Sequence, residues 1–276
     1  VASPAREAAR LRGAALGPVE RGQDAPGKLR VMTYNMLADS YSHTWDQLYP
    51  YFAAAAAAPE YRLQLALEDV RLIDADVVAL QEVDRSWYQK FWEPHMTEMG
   101  FTAVGYTVKT GARFEGCAMF VRASRLRVLE FKEVTLRCSS TPDNPEVDQF
   151  IGDNSDLSFV LDQITTVAQM ATLQETSTQA TLCVANTHLF FHPNAMHVRI
   201  LQAHQLLAHS KELMDRAALA AADGPGSREP ALVVCGDFNS EPFDGVAQYI
   251  ANGSISAGHR EWVGGSFFRW GGVSSR

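Results

Sequence analysis

The stretch DVVALQEVD, residues 76–84, decides how this chain is read. An unbroken apolar run at 77–80 gives way at once to Gln81, Glu82 and Asp84. Such a run is the mark of a strand buried on both faces. The acids at its C-terminal end sit where a rigid ladder can aim them. Three more stretches repeat the pattern: LRVMTYN (29–35) ends in Asn35, QATLCVANTHL (179–189) carries Asn186 and His188, and ALVVCGDFNS (231–240) carries Asp237 and Asn239. Four apolar strands with polar ends point to one shared site.

The segments between these strands complete an α/β pattern. Leu63, Leu67, Val70 and Ile73 recur at helical spacing and predict a helix over 61–73. Residues 86–99 and 195–216 read as further helices, and FTAVGYTV (101–108) and QITTVAQMATL (163–173) as strands. GCAMFVR (116–122) and RLRVLEF (125–131) read as a strand pair. Residues 138–165, with Pro142, Pro145 and a series of acids, read as an acidic, turn-rich insertion, and no Lys or Arg falls between Arg137 and Arg199. The fold class that follows is α/β: a two-layer mixed β-sandwich flanked by helices.

Composition narrows the functional classes. The 276 residues are 46% hydrophobic and 20% charged, which suits one large globular domain and excludes a disordered chain. Lys and Arg number 24 against 32 Asp and Glu, a net charge of −8 that argues against coating long nucleic acid by charge alone. No apolar run approaches the ~18 residues of a membrane span. Cys117, Cys138, Cys183 and Cys235 form no CxxC pair and read as reduced, mostly buried thiols of an intracellular protein.

Glu and Asp carboxylates beside Asn amide oxygens make a hard-oxygen set that suits Mg²⁺ or Mn²⁺, with phosphate as the natural co-ligand. Metal-assisted hydrolysis of a phosphate ester follows, with Asp237 as candidate base and His188 as candidate donor to a phosphate oxygen. Taken singly, each residue has an ordinary explanation as turn former, helix cap or core histidine. Coincidence at four strand ends does not. Past the strand ends, Phe190, Phe191 and His192 offer faces for base stacking, one of the two Phe being free to alternate into the core, and Tyr41, Trp45 and Arg85 are placed to line the same mouth.

The words TYNMLAD (33–39), LQEVD (80–84), NTHL (186–189) and GDFNSEP (236–242), in this order, resemble the endonuclease/exonuclease/phosphatase superfamily of Mg²⁺-dependent phosphodiesterases. The longer words VMTYNMLADSY, CVANTHLFFHP and VVCGDFNSEP are most similar to its 2′-phosphodiesterase branch, which degrades 2′,5′-oligoadenylate and trims poly(A) in mitochondria. Deadenylases, nocturnin and Angel are similar at greater distance. The resemblance implies a catalytic domain over 29–262, preceded at 1–28 by a linker or the end of a targeting region and followed at 263–276 by an atypical tail. It implies that Glu82 ligates Mg²⁺ (or Mn²⁺) with support from Asn35, and that Asp237 activates water or approaches the metal. Asn239 would orient Asp237 and the phosphate, and His188 would contact the scissile phosphate. Which of Asp237 and Asn239 meets the metal stays open.

The implied partner is short single-stranded adenylate-rich RNA or 2′,5′-oligoadenylate in an intracellular compartment, mitochondrial by resemblance or cytoplasmic if the chain is a deadenylase of the mRNA-decay type. Family members carry a terminal Ser-Asp-His word, and none follows GDFN here. The expectation is therefore a sheet missing its last strands and a site lacking one donor. An inactive, truncated fragment that binds RNA or protein stands as the alternative from a different class.

Overall fold

A computed structural model describes residues 28–51, 54–111, 114–137, 144–221, 229–265 and 268. Strands β1 (Val31–Asn35), β2 (Val77–Asp84), β3 (Phe101–Val108) and β4 (Glu115–Arg122) form one sheet in the order β1-β2-β4-β3. Strands β5 (Leu126–Thr135), β6 (Val167–Glu175), β7 (Thr181–His188) and β8 (Ala231–Asp237) form the second, in sequence order. β1 runs parallel to β2 and β7 parallel to β8, while the other pairings are antiparallel. Two mixed sheets are thus stacked, as the apolar runs implied.

Alternation along the strands supplies three layers of core. Val77 and Ala79 of β2 meet Ala171, Leu173 and Val184 of the facing sheet. Val78 and Leu80, pointing the other way, pack beneath Leu63, Leu67 and Val70 of the helix Pro59–Ile73. Ala168, Met170, Cys183 and Ala185 are covered by Ala203, Leu206 and Leu213 of the helix Met196–Ala221. With both faces covered there is no polar side to alternate with, which is why these strands read as continuous apolar runs.

Two local expectations change. The stretches at 116–122 and 125–131 are both strands, but β4 pairs with β2 and β3 whereas β5 pairs with β6. The turn between them carries the chain from one sheet to the other. The described part of the acidic insertion is helical, Pro145–Asp153 followed by Ser155–Gln163. Asn144 caps the first helix by accepting from Val147 N–H, with Pro145 in the first turn and Glu146 and Asp148 behind it. The Asn, Pro and Asp signals marked a helix start, where a cap, a fixed φ and negative charge are all favourable.

The helix at 86–99 is present as a helical stretch interrupted by a π-helical turn at Tyr88–Trp92. Cys117, Cys183 and Cys235 are buried free thiols, and Cys138 lies outside the described residues, as do 1–27 and 269–276. Among the described residues no helix is long and apolar enough to cross a membrane.

Candidate active site

β1 and β8 pack beside each other across the two sheets, and this brings the polar strand ends together. The parallel β7–β8 register sets His188 opposite Asp237. Gly236 makes that approach possible: its φ is +139°, and a Cβ there would lie 2.0 Å from the Thr187 carbonyl oxygen. Only glycine fits.

Asn35 is the hub. Its Nδ2 donates to Glu82 Oε1 and to Asp237 Oδ2, both at 2.9 Å, joining residues 202 apart in sequence. Leu37 N–H donates to the Asn35 side-chain Oδ1 at 2.9 Å, Ala38 N–H donates to Glu82 Oε2 at 3.0 Å, and Asn239 N–H donates to Asp237 Oδ1 at 2.9 Å. A register shift in β2 between Leu80 and Val83 turns Glu82 out of the ladder, at φ +53°. Bulges re-aim side chains in this way. Leu37 (φ 56°) and Asn239 (φ 48°) are likewise left-handed, so strained backbone lies at the carboxylates in the bulge of β2 and in two loops.

His188 closes the group. Its Nδ1 lies 3.8 Å from Glu82 Oε1 and its Nε2 3.9 Å from Asp237 Oδ2, and the ring is buried with no hydrogen-bond partner at Nδ1. Burial pushes its pKa below the ordinary histidine value, Lys109 pushes the same way, and the carboxylates oppose. The neutral imidazole keeps one N–H to donate.

Other expected residues separate. Asn186 lies beneath the site: it accepts from Gln81 at 2.8 Å and donates to the Leu80 and Ala118 carbonyls and to Gln169. It bolts the two sheets together and is fully buried. Asn239 Nδ2 is committed to the Leu189 carbonyl at 2.9 Å. Phe190 turns into a core of Ile151, Leu161, Val198 and Phe268, which removes it as a stacking face, while Phe191 is 57% exposed. His192 packs edge-on to Phe268 at 4.9 Å. Arg85 is exposed, its guanidinium 5.9 Å from the Phe114 ring. Trp45, expected at the mouth, is buried under Arg62, and Tyr41 donates to Glu115 at 2.7 Å.

Two residues near the site carry no signal in the sequence. Lys109 forms a 2.6 Å ion pair with the buried Glu115, close enough to act on His188. Burial is the largest single influence and works against its charge, but Glu115, Tyr41 and Cys117 together overcome it and the lysine pKa rises. The Tyr49 hydroxyl pKa is raised by burial first, and then by the charges of Glu82, Tyr51 and Asp237. Both sit in loops without periodicity, so only the fold reveals them.

The strand-end carboxylates, the hub asparagine and the buried histidine thus lie together, and a family model describing the endonuclease/exonuclease/phosphatase family matches residues 32–276. The chain belongs to that family. Human 2′,5′-phosphodiesterase 12 is 33% identical over 242 residues, covering 85% of this chain and 37% of the human protein. The CCR4-NOT transcription complex subunit 6-like-B of Xenopus laevis is 28% identical over 264 residues, covering 88% of this chain and 47% of that protein. The chain therefore spans less than half the length of these relatives. Among solved structures, ANGEL2, a 2′,3′-cyclic phosphatase in complex with adenosine-2′,3′-vanadate, is similar at TM-score 0.63 and 26% identity, over 80% of this chain and 56% of that one. The family's stacked sheets are those described above.

The donor set favours a hard cation. Two carboxylates converge on one neutral amide, and among the described residues no cluster of three His, Cys, Asp or Glu side chains forms a metal cage. Carboxylate and amide oxygens are the hard donors that a divalent cation such as Mg²⁺ or Mn²⁺ takes.

Proposed function

We propose that the chain is a divalent-metal-dependent phosphodiesterase acting on short adenylate-rich RNA, with 2′,5′-oligoadenylate first and 3′ poly(A) ends second. The observation that carries this is the convergence of Glu82 and Asp237 on the single Asn35 amide with neutral His188 beside both. Glu82 with Asn35, and Asp237 with Asn239, would hold a divalent cation such as Mg²⁺ or Mn²⁺. When bound, the cation neutralises charge developing on the phosphate.

Asp237, aimed by Asn239 N–H, accepts the proton of the attacking water. The new P–O bond forms as the bond to the leaving ribose oxygen breaks, and that oxygen takes its proton from solvent. His188 donates to a non-bridging phosphate oxygen. The similarity to human 2′,5′-phosphodiesterase 12 and to ANGEL2 with its adenosine ligand supports an adenylate substrate. The net charge of −8 favours short substrates, because little counterion release is available. Phe191, exposed three residues beyond the last paired position of β7, supplies a stacking face, and Arg85 a cationic one. The catalytic unit is residues 29–262.

The test is hydrolysis by the full 276-residue chain of 2′,5′-linked and 3′,5′-linked triadenylate, with Mg²⁺, Mn²⁺ or EDTA. Faster cleavage of the 2′,5′ linkage, lost in EDTA, is the expected result. Faster cleavage of the 3′,5′ linkage would make the chain a deadenylase. Metal binding without turnover of either would leave an RNA- or protein-binding relative.

A further inference from the structure

Arg62 lies on the helix Pro59–Ile73, outside the strand-end words, with its side chain 13% exposed. Nearly every donor is engaged. Nη1 donates to the carbonyls of Met36 at 2.9 Å and Leu37 at 3.0 Å, Nε donates to Ala57 at 3.1 Å, and Nη2 pairs with the Asp39 carboxylate. The guanidinium lies over the Trp45 ring, 4.6 Å from its centroid. Asp39 is held in turn by Trp87 Nε1 at 2.7 Å, and its own N–H donates to Asp84 at 2.7 Å.

What Arg62 clamps is the turn that aims the site. Leu37 N–H fixes the Asn35 side-chain Oδ1 and Ala38 N–H fixes Glu82 Oε2, so residues 37 and 38 set the rotamers of one site amide and one site carboxylate. Leu37 holds those donors only in a left-handed conformation, φ 56°, which a β-carbon disfavours by about 1–3 kcal/mol. Such a backbone persists where its surroundings over-determine it. Arg62 grips the carbonyls on both sides of the Leu37 N–H from a rigid helix, and its planar fork can meet several acceptors at once where a lysine ammonium meets one or two.

We propose that Arg62 is a positioning residue for the metal-binding half of the site: it holds the 36–39 turn so that Asn35 and Glu82 face the cation. This rests on the metal-dependent reading above. A residue that merely supports the fold would cost stability when lost, whereas a positioning residue costs cation affinity in protein that is still folded.

The experiment titrates Mn²⁺ into the full chain and follows the paramagnetic signal of the free ion, at a temperature well below each variant's Tm. Arg62→Lys and Arg62→Ala are compared with Arg122→Ala. Arg122 is a matched control: it pairs with Asp74, donates to the Ala75 carbonyl, stacks over Phe101 at 4.5 Å and sits before the opposite end of β2. Both Arg62 variants are expected to weaken Mn²⁺ by about 10–100-fold, as loss of an outer-shell partner does. Guanidinium ion should restore Arg62→Ala, and Arg122→Ala should lower Tm while leaving Mn²⁺ affinity unchanged. If the alanine variant does not fold, Arg62→Lys carries the test. Wild-type Mn²⁺ affinity in folded Arg62→Lys would overturn the proposal alone. Absence of Mn²⁺ binding by the wild-type chain would overturn the metal-dependent reading, and this inference with it.

Discussion

At one end of the sandwich Glu175 accepts from Ser177 Oγ at 2.8 Å, from Thr178 Oγ1 at 2.6 Å and from Thr178 N–H at 2.5 Å, with Arg125 3.7 Å away. At the other end Glu82 and Asp237 divide one asparagine amide, each with a single backbone N–H besides, and the nearest ring is a neutral histidine. The residues are of the same kind, and their treatment is opposite. A saturated buried carboxylate stabilises the fold, whereas carboxylates left short of donors and cations on a strained backbone have acceptor capacity for a ligand. The comparison separates structural acids from chemical ones without reference to their sequence neighbours.

Removing charge at the two ends should give opposite results. Glu82→Gln or Asp237→Asn is expected to lower hydrolysis by about 10³-fold or more while Tm holds or rises, since a repulsive pair is relieved. Steady-state rates beside calorimetry decide it, and a large fall in Tm would make these acids structural. Next in size, His188→Gln should cost about 10²–10³-fold in kcat with KM little changed, which initial rates over a range of substrate concentrations will read.

Glu175→Gln should leave kcat alone and cost about 1.5–3 kcal/mol of stability at neutral pH. Burial alone would raise the Glu175 pKa, but hydrogen bonds from Thr178 and Ser177, with Arg125, hold it below the ordinary 4.5. A lowered folded-state value means the stabilisation is full above pH 4.5 and is lost as pH falls through that lower value. Denaturant melts of both proteins from pH 7 to pH 3 should therefore converge at the acid end. The smallest effect is expected at the rim, where Phe191→Ala should weaken oligoadenylate binding by about 1–3 kcal/mol without moving Tm. An unchanged KM would remove Phe191 from the substrate path.

That Asn35, Glu82, His188 and Asp237 come together is legible in the sequence, because each ends an apolar run and the ends of buried strands are where a sheet releases polar side chains. Asn186 misled for the same reason: its position in NTHL is two residues from His188, yet it is paired deep in the sandwich with Gln81. Phe190 and Phe191 could not be told apart, because the chain leaves the ladder after His188 and period-two alternation stops with it. The Asn and Pro signals before 145 looked like turns, since a helix cap and a turn use the same residues.

By itself the sequence determined which segments are buried strands, that they stack as two sheets, and which polar residues end them, because burial demands an apolar pattern that survives in linear order. Only the tertiary structure decided that Asn35 serves both carboxylates, that Lys109 pairs with the buried Glu115, and that Arg62 clamps the turn behind Glu82. Those contacts join residues up to 202 positions apart. Hydrogen bonds and charges act through space at a few ångströms, and no pattern along the chain encodes which distant side chains the packed sheets will bring within that range.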